Sequence, residues 1–99
     1  MYFTITHTFK EGVGEKRMDV RPQHIQYLKD CGDRLMVAGP MKDSEADKAP
    51  KFSHIIIRAD SETAAKLFTE HDPYVQNGLV DVTEIRPFNA VIGSWLKGD

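Results

Sequence analysis

Polar and apolar residues alternate along the first ten residues of the chain. One side of this pattern carries Phe3, Ile5, His7 and Phe9, and the other carries Tyr2 and three threonines. A period of two is typical of a β-strand whose two faces meet different surroundings. A strand is therefore predicted over Tyr2 to Phe9, and the glycines at positions 12 and 14 predict a turn after it.

The spacing becomes helical from Glu15 to about Cys31. Two neighbouring lines of this helix are expected to face the sheet: Met18, Arg21, Ile25 and Leu28 in one, and Val20, His24, Tyr27 and Cys31 in the other. Pro22 has no amide hydrogen and its ring crowds the carbonyl of Met18, so a kink or a new helix start is expected there. Gly32 is expected to end the helix.

Three further apolar runs predict strands. They cover Arg34 to Pro40, Phe52 to Ala59 and Leu79 to Pro87. The Gly39-Pro40 pair is expected to stop the second strand, and Val80 and Val82 are expected on one face of the fourth. Met41 to Lys51 has no periodicity and predicts an exposed loop, which is either a solvated hairpin connection or a lid over a site.

A second helix is predicted between the third and fourth strands. Asp60 or Ser61 suits its N-cap, and four residues recur at core-facing helical spacing: Ala64, Leu67, Phe68 and His71. Because Pro73 disfavours the helical conformation for Asp72, this helix is expected to end at about His71. One more turn is expected from Tyr74 to Asn77, closed by Gly78.

The predicted order is β-α-β-β-α-β, which indicates an α+β, ferredoxin-like fold with an antiparallel sheet and two helices on one face. One domain over residues 1–99 is expected, with an apolar tail over 89–99 that contains Trp95. The open second face of the sheet, the apolar run at 55–57 and this tail together exceed what a small monomer covers well. A homodimer with its sheets face to face and each tail on the partner is therefore predicted.

Composition limits the classes of partner. Lys and Arg number 13 and Asp and Glu number 15, the formal net charge is −2, and the basic residues are scattered, so nucleic acid is not an expected partner. No apolar stretch of about 18 residues and no basic start before an apolar run occurs, so neither a membrane span nor a signal peptide is predicted. A cytoplasmic location is expected, and the single cysteine, Cys31, fits a reducing compartment.

The candidate chemistry centres on His24 and Asp72. His24 interrupts an otherwise apolar stripe, and a buried imidazole needs a partner for its ring nitrogens. Asp72, released from the helix by Pro73, is the expected partner. Such a pair moves protons because the carboxylate fixes the imidazole tautomer and stabilises the imidazolium. The alternative is a core histidine beside an aspartate that only caps the turn begun by Pro73.

Other polar residues carry weaker predictions. Tyr74 could offer a hydroxyl to a substrate or serve as a core aromatic, and His7 is expected to border the pocket from the first strand. His54 and His71 are assigned to packing. The histidine spacings and the single cysteine predict no metal site, and the chain has no glycine-rich phosphate loop, so no cofactor is expected.

Four short motifs in order resemble the YciI-like (YCII-related) family: RPQHIQYL at 21–28, AGP at 38–40, DPY at 72–74 and PF at 87–88. Members of this family are small dimeric α/β-barrel proteins related in fold to muconolactone isomerases and small barrel monooxygenases. The resemblance covers residues 1–88. Two features depart from the family pattern: residues 52–54 stand where relatives usually carry a glycine, and Pro22 lies within the first helix.

The resemblance implies that His24 and Asp72 are a catalytic pair in a pocket that Gly39 and Pro40 help to line. It also implies a cofactor-independent lyase or isomerase that performs elimination, dehalogenation or isomerisation on a small oxygenated cyclic or aromatic substrate. The alternative from another class of function is a dimer that binds a small molecule without converting it. The sequence does not separate these two functions.

Overall fold

The computed structural model describes residues 1–96 and contains a four-stranded antiparallel sheet in the order β2-β3-β1-β4. The elements are β1 (Tyr2–Phe9), α1 (Gly14–Lys29), a 3₁₀ turn (Gly32–Arg34), β2 (Leu35–Met41), β3 (Phe52–Arg58), α2 (Glu62–Glu70), α3 (Pro73–Gln76) and β4 (Val80–Phe88). The predicted α+β, ferredoxin-like order is confirmed. The last three residues of the predicted tail lie outside the described residues.

The alternating pattern of β1 separates the two faces of the sheet as expected. Phe3 pairs with Ile57 and Ile5 with Ile55 across the β1–β3 ladder, and all four side chains are at most 1% exposed. This row forms the main core with Leu28 and other residues of the helices. His7 continues the same row toward the end of β1, and so it lies beneath the helices rather than on the open face.

Helix α1 is one continuous helix through Pro22, so of the two outcomes predicted there, a kink or a new start, the new start is not observed. Pro22 is exposed, and Met18, whose carbonyl loses its usual partner, is 54% exposed. The group that the proline leaves unpaired therefore lies on the exposed side of the helix, where a carbonyl without a partner costs least. Of the first predicted line only Leu28 is buried, whereas Met18 and Arg21 are exposed. The second predicted line is confirmed at Val20 and His24, and the buried face of the helix also includes Arg17.

Helix α2 begins as predicted, because the Ser61 hydroxyl accepts a hydrogen bond from the Ala64 amide at 3.1 Å. Its buried face was predicted one position out of register. The structure buries Ala65, Phe68 and Thr69, whereas Leu67 is 50% exposed. These three residues continue at helical spacing to Asp72, which is fully buried. The buried face of α2, one position away from the predicted face, therefore agrees with the burial of Asp72 beneath α1.

Two side chains hold α1 against α2. The Tyr27 hydroxyl donates a hydrogen bond to the Phe68 carbonyl at 2.7 Å, and the two rings stack with centroids 5.2 Å apart. A buried hydroxyl with a partner costs far less than an orphaned one. The pair therefore fixes the distance between the helices near the site described below.

Both edge strands differ from their predictions. Strand β2 runs through Gly39 and Pro40 to Met41, and an edge strand tolerates proline because one side of its backbone has no ladder to join. In β4, a bulge opposite Thr8 and Phe9 places Val80 and Val82 on different faces. Val80 packs in the core on the helix side, whereas Val82 is 47% exposed on the open face.

The open face and the following tail expose apolar side chains. Phe88 is 43% exposed, and in the tail Ile92 and Trp95 are 93% and 78% exposed. His54 lies on this face and hydrogen bonds the hydroxyls of Thr4 and Thr6 at 3.0 and 3.2 Å. In addition to the packing role predicted for it, His54 therefore takes part in a polar network with two threonines.

The orientation of α2 predicts that two adjacent substitutions lower the stability by very different amounts. Phe68→Ala should lower the free energy of unfolding by about 3–5 kcal/mol because it opens a cavity in the core. Leu67→Ala, one position along the same helix and half exposed, should cost less than about 1 kcal/mol. Urea unfolding of both variants measures this. Equal losses would contradict the orientation of α2.

Candidate functional site

Asp72 lies at the junction of α2 and α3, where the chain leaves the helical conformation. Its backbone is extended, with φ −63° and ψ 128°, as the following Pro73 requires. Its side chain is fully buried, and Oδ1 accepts a hydrogen bond from the Tyr74 amide at 2.9 Å. Asp72 is therefore the N-cap of α3.

The same oxygen of Asp72 contacts His24 in the middle of α1. Nδ1 of His24 lies 2.9 Å from Oδ1, although the two residues are 48 positions apart in the chain. An ionised carboxylate only accepts hydrogen bonds, so Nδ1 carries the hydrogen and Nε2 of the neutral ring carries the lone pair. The predicted contact is present, and so is the cap offered as its alternative. Asp72 makes both interactions.

Tyr74 holds the imidazole from its flat side. The rings of His24 and Tyr74 stack with centroids 3.9 Å apart and planes 15° apart. Phe9 meets the Tyr74 ring edge-on at 5.2 Å. Burial raises the pKa of the Tyr74 hydroxyl, an effect that the nearby guanidinium groups of Arg17 and Arg21 oppose. The His24 ring is therefore fixed by one hydrogen bond at its edge and one aromatic face.

His24 and Tyr74 form part of the wall of a cavity of about 260 Å³ between α1 and the β2–β3 edge of the sheet. Helix α1 contributes Arg17, Arg21, His24, Ile25, Leu28 and Lys29. The sheet and α3 contribute Phe9, Leu35, Ala38, Gly39, Pro40, Ser53 and Tyr74. The predicted lining residues Gly39, Pro40 and Tyr74 are thus brought together with His24. No residue between 42 and 51 lines this cavity, whereas Ala49, Pro50 and Lys51 line a neighbouring cavity together with Arg17. Both interpretations of the loop therefore stay predictions.

His7 lies behind Asp72 and is not among the residues that line the cavity, which corrects the expectation that it borders the pocket. Its Nδ1 is 3.9 Å from Asp72 Oδ2, and both side chains are fully buried. Within residues 1–96, neither ring nitrogen of His7 nor Oδ2 of Asp72 has a hydrogen-bond partner. Burial lowers the pKa of His7, while the Asp72 carboxylate acts in the opposite direction. The lowered pKa favours the neutral form of His7.

Four polar lining residues were missed by the sequence analysis of the site: Arg17, Arg21, Lys29 and Ser53. Arg17 and Arg21 precede His24 by seven and three positions, a spacing that places all three on one side of a helix. This spacing could have identified them once His24 was chosen. Ser53 could not be found in this way, because it reaches the cavity through the β2–β3 register, where it pairs with Pro40.

Within the described part of the chain, no helix is long and apolar enough to cross a membrane. Residues 1–96 also contain no group of three or more histidine, cysteine or acidic side chains placed to hold a metal ion. The polar side chains that line the cavity are the imidazole of His24, the hydroxyls of Tyr74 and Ser53, and the cationic side chains of α1.

The fold and this site define a small antiparallel α+β protein with a histidine–aspartate pair at the wall of a pocket. The chain matches the profile of the YCII-related domain over residues 1–89, so it belongs to the YCII-related family. The resemblance seen in the four motifs is thereby confirmed. Protein YciI of Escherichia coli O6:H1 (strain CFT073) is 40% identical over 84 residues, which cover 78% of this chain and 85% of that protein.

Two further relatives extend the comparison. An uncharacterized protein of Haemophilus influenzae is 34% identical over 97 residues, covering 92% of this chain and 99% of that protein. Among solved structures, 5-chloro-2-hydroxyhydroquinone dehydrochlorinase (TftG) of Burkholderia phenoliruptrix AC1100, in complex with 2,5-dihydroxybenzoquinone, is similar with a TM-score of 0.81 and 27% identity. The similarity covers 90% of this chain and 94% of that one.

A more distant likeness concerns the fold alone. An antibiotic biosynthesis monooxygenase matches with a TM-score of 0.57 and 11% identity over 93% of this chain and 100% of that one. The expected relation to small barrel monooxygenases is therefore seen in the fold.

The burial of His7 predicts a dependence of stability on pH. Its pKa in the folded chain lies below the ordinary value of 6.5, so below about pH 6.5 the unfolded chain binds a proton that the folded chain resists. The free energy of unfolding should therefore fall as the pH drops from 7 toward 5. His7→Phe should reduce this fall, as measured by urea unfolding at several pH values.

The matched control for His7 is His71, which is exposed at the end of α2. His71→Phe should leave the pH dependence as in the wild type. An unchanged dependence in His7→Phe would show that His7 does not carry it.

Proposed function

We propose that this chain is a cofactor-independent lyase that removes a proton and a leaving group from a small oxygenated aromatic or cyclic substrate, with isomerisation of such a substrate as the related reaction. His24 is the general base and general acid, and Asp72 is its orienting carboxylate. The observation that carries the proposal is the 2.9 Å contact between Asp72 and an imidazole in the wall of a pocket.

In this proposal, each part of the pair has its own task. Asp72 binds Nδ1–H, so Nε2 is the ring nitrogen left to take a proton from substrate. Nε2 first takes a proton from one hydroxyl and returns it to the ring carbon that bears the leaving group, which gives the keto tautomer. It then takes the proton of a second hydroxyl, the electron pair moves through the conjugated ring, and the leaving group departs from that carbon with its bonding pair. The net loss is one proton and one anion, so the step needs neither an oxidant nor a reductant. The resulting imidazolium is stabilised by the carboxylate behind it.

Two similarities support this class of reaction. The family match covers nearly the whole chain, and the structurally similar dehydrochlorinase from Burkholderia phenoliruptrix bears a name that describes elimination of hydrogen chloride. The stacking of Tyr74 on the imidazole supports the same role, because it holds the base in one orientation.

The direct test offers 5-chloro-2-hydroxyhydroquinone to the protein without oxygen and follows the release of chloride. Chloride should be released faster from the compound with the wild type than in buffer alone. His24→Ala should lose about 10²- to 10⁴-fold in rate because the base is absent, and Asp72→Asn should fall between the two because the base remains without its charged partner. Binding of 2,5-dihydroxybenzoquinone, measured by calorimetry, should persist in His24→Ala.

His71→Ala is the matched control for the loss of an imidazole, since His71 lies exposed outside the cavity. Its chloride release should equal that of the wild type. Equal rates in wild type, His24→Ala and Asp72→Asn would remove the pair from the chemistry. Binding without conversion across a panel of halogenated and unhalogenated quinols and lactones would favour the binding protein of the alternative function.

The proposal includes a homodimer that packs through the open face of the sheet. This face exposes Val82 and Phe88, and Ile92 and Trp95 of the following tail are also exposed. Apolar groups of this number on one side of a small domain are typical of an interface. The helices cover the other face, where the pocket lies between α1 and the β2–β3 edge, so a dimer formed through the open face does not cover the pocket.

Sedimentation equilibrium tests the dimer. The wild type should sediment at twice the chain mass of 11.2 kDa at micromolar concentration. Val82→Glu should weaken the dimer because it buries a charge at the interface. Leu67→Glu is the control, since Leu67 is an exposed apolar residue on α2, away from that face. A wild type that stays monomeric would contradict the dimer.

A further inference from the structure

The cavity wall has a charge pattern that differs from that of the chain. Arg17, Arg21 and Lys29 all line it, and within residues 1–96 no aspartate or glutamate does. The whole chain contains slightly more acidic than basic residues. The excess of positive charge is therefore local to the cavity, where it sits beside the catalytic pair of the proposed function.

Arg17 is the most enclosed of these cations. It is 9% exposed, its guanidinium lies 5.5 Å from the centre of the Phe9 ring, and it donates to the Met18 sulfur at 3.5 Å. In the described residues, no carboxylate lies within salt-bridge distance of it. Glu11 and Asp81 border a neighbouring cavity without forming such a pair. A buried guanidinium without an ionic partner is costly, so an incoming anion would be stabilised there.

The cations have a fixed relation to the base along α1. Arg21 precedes His24 by three residues, which places it one turn away on the same side and about 4.5 Å along the axis. On the other side of His24 the lining of α1 consists of Ile25, Leu28 and Lys29. The cavity thus has two arginines at one end, a base at its middle, and an apolar surface with one lysine at the other end.

We propose that the pocket selects a small planar anion, an aromatic or quinonoid ring that carries a carboxylate or an acidic enolic hydroxyl, and that Arg21 and Arg17 bind its negative oxygen. The ring then lies beside Ile25, and His24 acts on a group one ring-width from the bound oxygen. This inference rests on the proposed function for the identity of the reacting group. The selection of anions is a binding property that can be measured without turnover.

The negative oxygen can come from two kinds of molecule with the same recognition chemistry. In 4-hydroxybenzoate it belongs to a carboxylate. In 2,5-dihydroxybenzoquinone it belongs to a hydroxyl conjugated with a carbonyl, which makes the hydroxyl acidic enough to ionise in neutral water. Each has a neutral counterpart of similar shape, 4-hydroxybenzamide and 2,5-dimethoxybenzoquinone.

The experiment measures the dissociation constants of these four compounds by titration calorimetry at pH 7 and low ionic strength. At least one anion should bind the wild type about 10- to 100-fold more tightly than its neutral counterpart, as expected of a charge-assisted hydrogen bond to arginine. Arg21→Gln should remove most of this preference while leaving the affinity for the neutral compound within about twofold. The anion that shows the preference identifies which source of negative oxygen the site accepts.

Lys66→Gln is the matched control for the loss of one cation, because Lys66 is exposed on α2 and outside the cavity. It should keep the wild-type preference. Arg17→Gln gives a second measurement after its fold has been verified by circular dichroism. Equal binding of anion and neutral counterpart, or no binding of either anion at millimolar concentration, would overturn the inference.

The outcome is separable from that of the proposed function. A preference for anions that disappears in Arg21→Gln supports the inference even if no compound is converted, in which case only the proposed reaction fails. Conversion of a substrate by His24 without any preference for anions would overturn the inference and leave the reaction intact.

Discussion

The buried carboxylate of Asp72 is the interaction on which this structure depends. It ends α2, caps α3 through the Tyr74 amide, and reaches α1 through His24. A charge removed from water is costly unless hydrogen bonds replace its hydration. The site therefore exists only where three segments meet around one oxygen, and any shift of α1 relative to α3 would break a hydrogen bond at the centre of the protein.

The second oxygen of Asp72 links the pair to the sheet. Oδ2 faces Nδ1 of His7 at 3.9 Å, and within the described chain neither group has a partner. A neutral His7 places a polar but uncharged ring beside the carboxylate, which leaves the negative charge directed mainly toward His24. In the proposed reaction, this arrangement lets Asp72 stabilise a protonated His24 without a competing cation behind it.

The pocket forms where helix α1 lies over the edge strand β2. Helix α1 supplies the imidazole and the cations, while β2 supplies backbone and small apolar groups, among them Gly39 and Pro40. Small residues on the strand leave room that larger side chains would fill. The edge position of β2 also permits a proline within the strand. A cavity of about 260 Å³ follows from these two local features.

Local patterns in the sequence determined the order of elements, the alternation of β1, the cap at Ser61 and the break at Pro73, because these depend on neighbours in the chain. The pairing of His24 with Asp72 could also be predicted, since a polar residue on an apolar stripe requires a partner and Pro73 releases a carboxylate. The family motifs added the lining role of Gly39 and Pro40.

Other features depended on packing between distant segments. The rotation of α2, the burial of Arg17, the bulge that separates Val80 from Val82 and the position of His7 behind the carboxylate were decided by the tertiary structure. A helical period fixes which residues share a face but leaves the direction of that face open by tens of degrees. Only the contact of α1 and α2 with the sheet, and the burial of Asp72 between them, selects one direction.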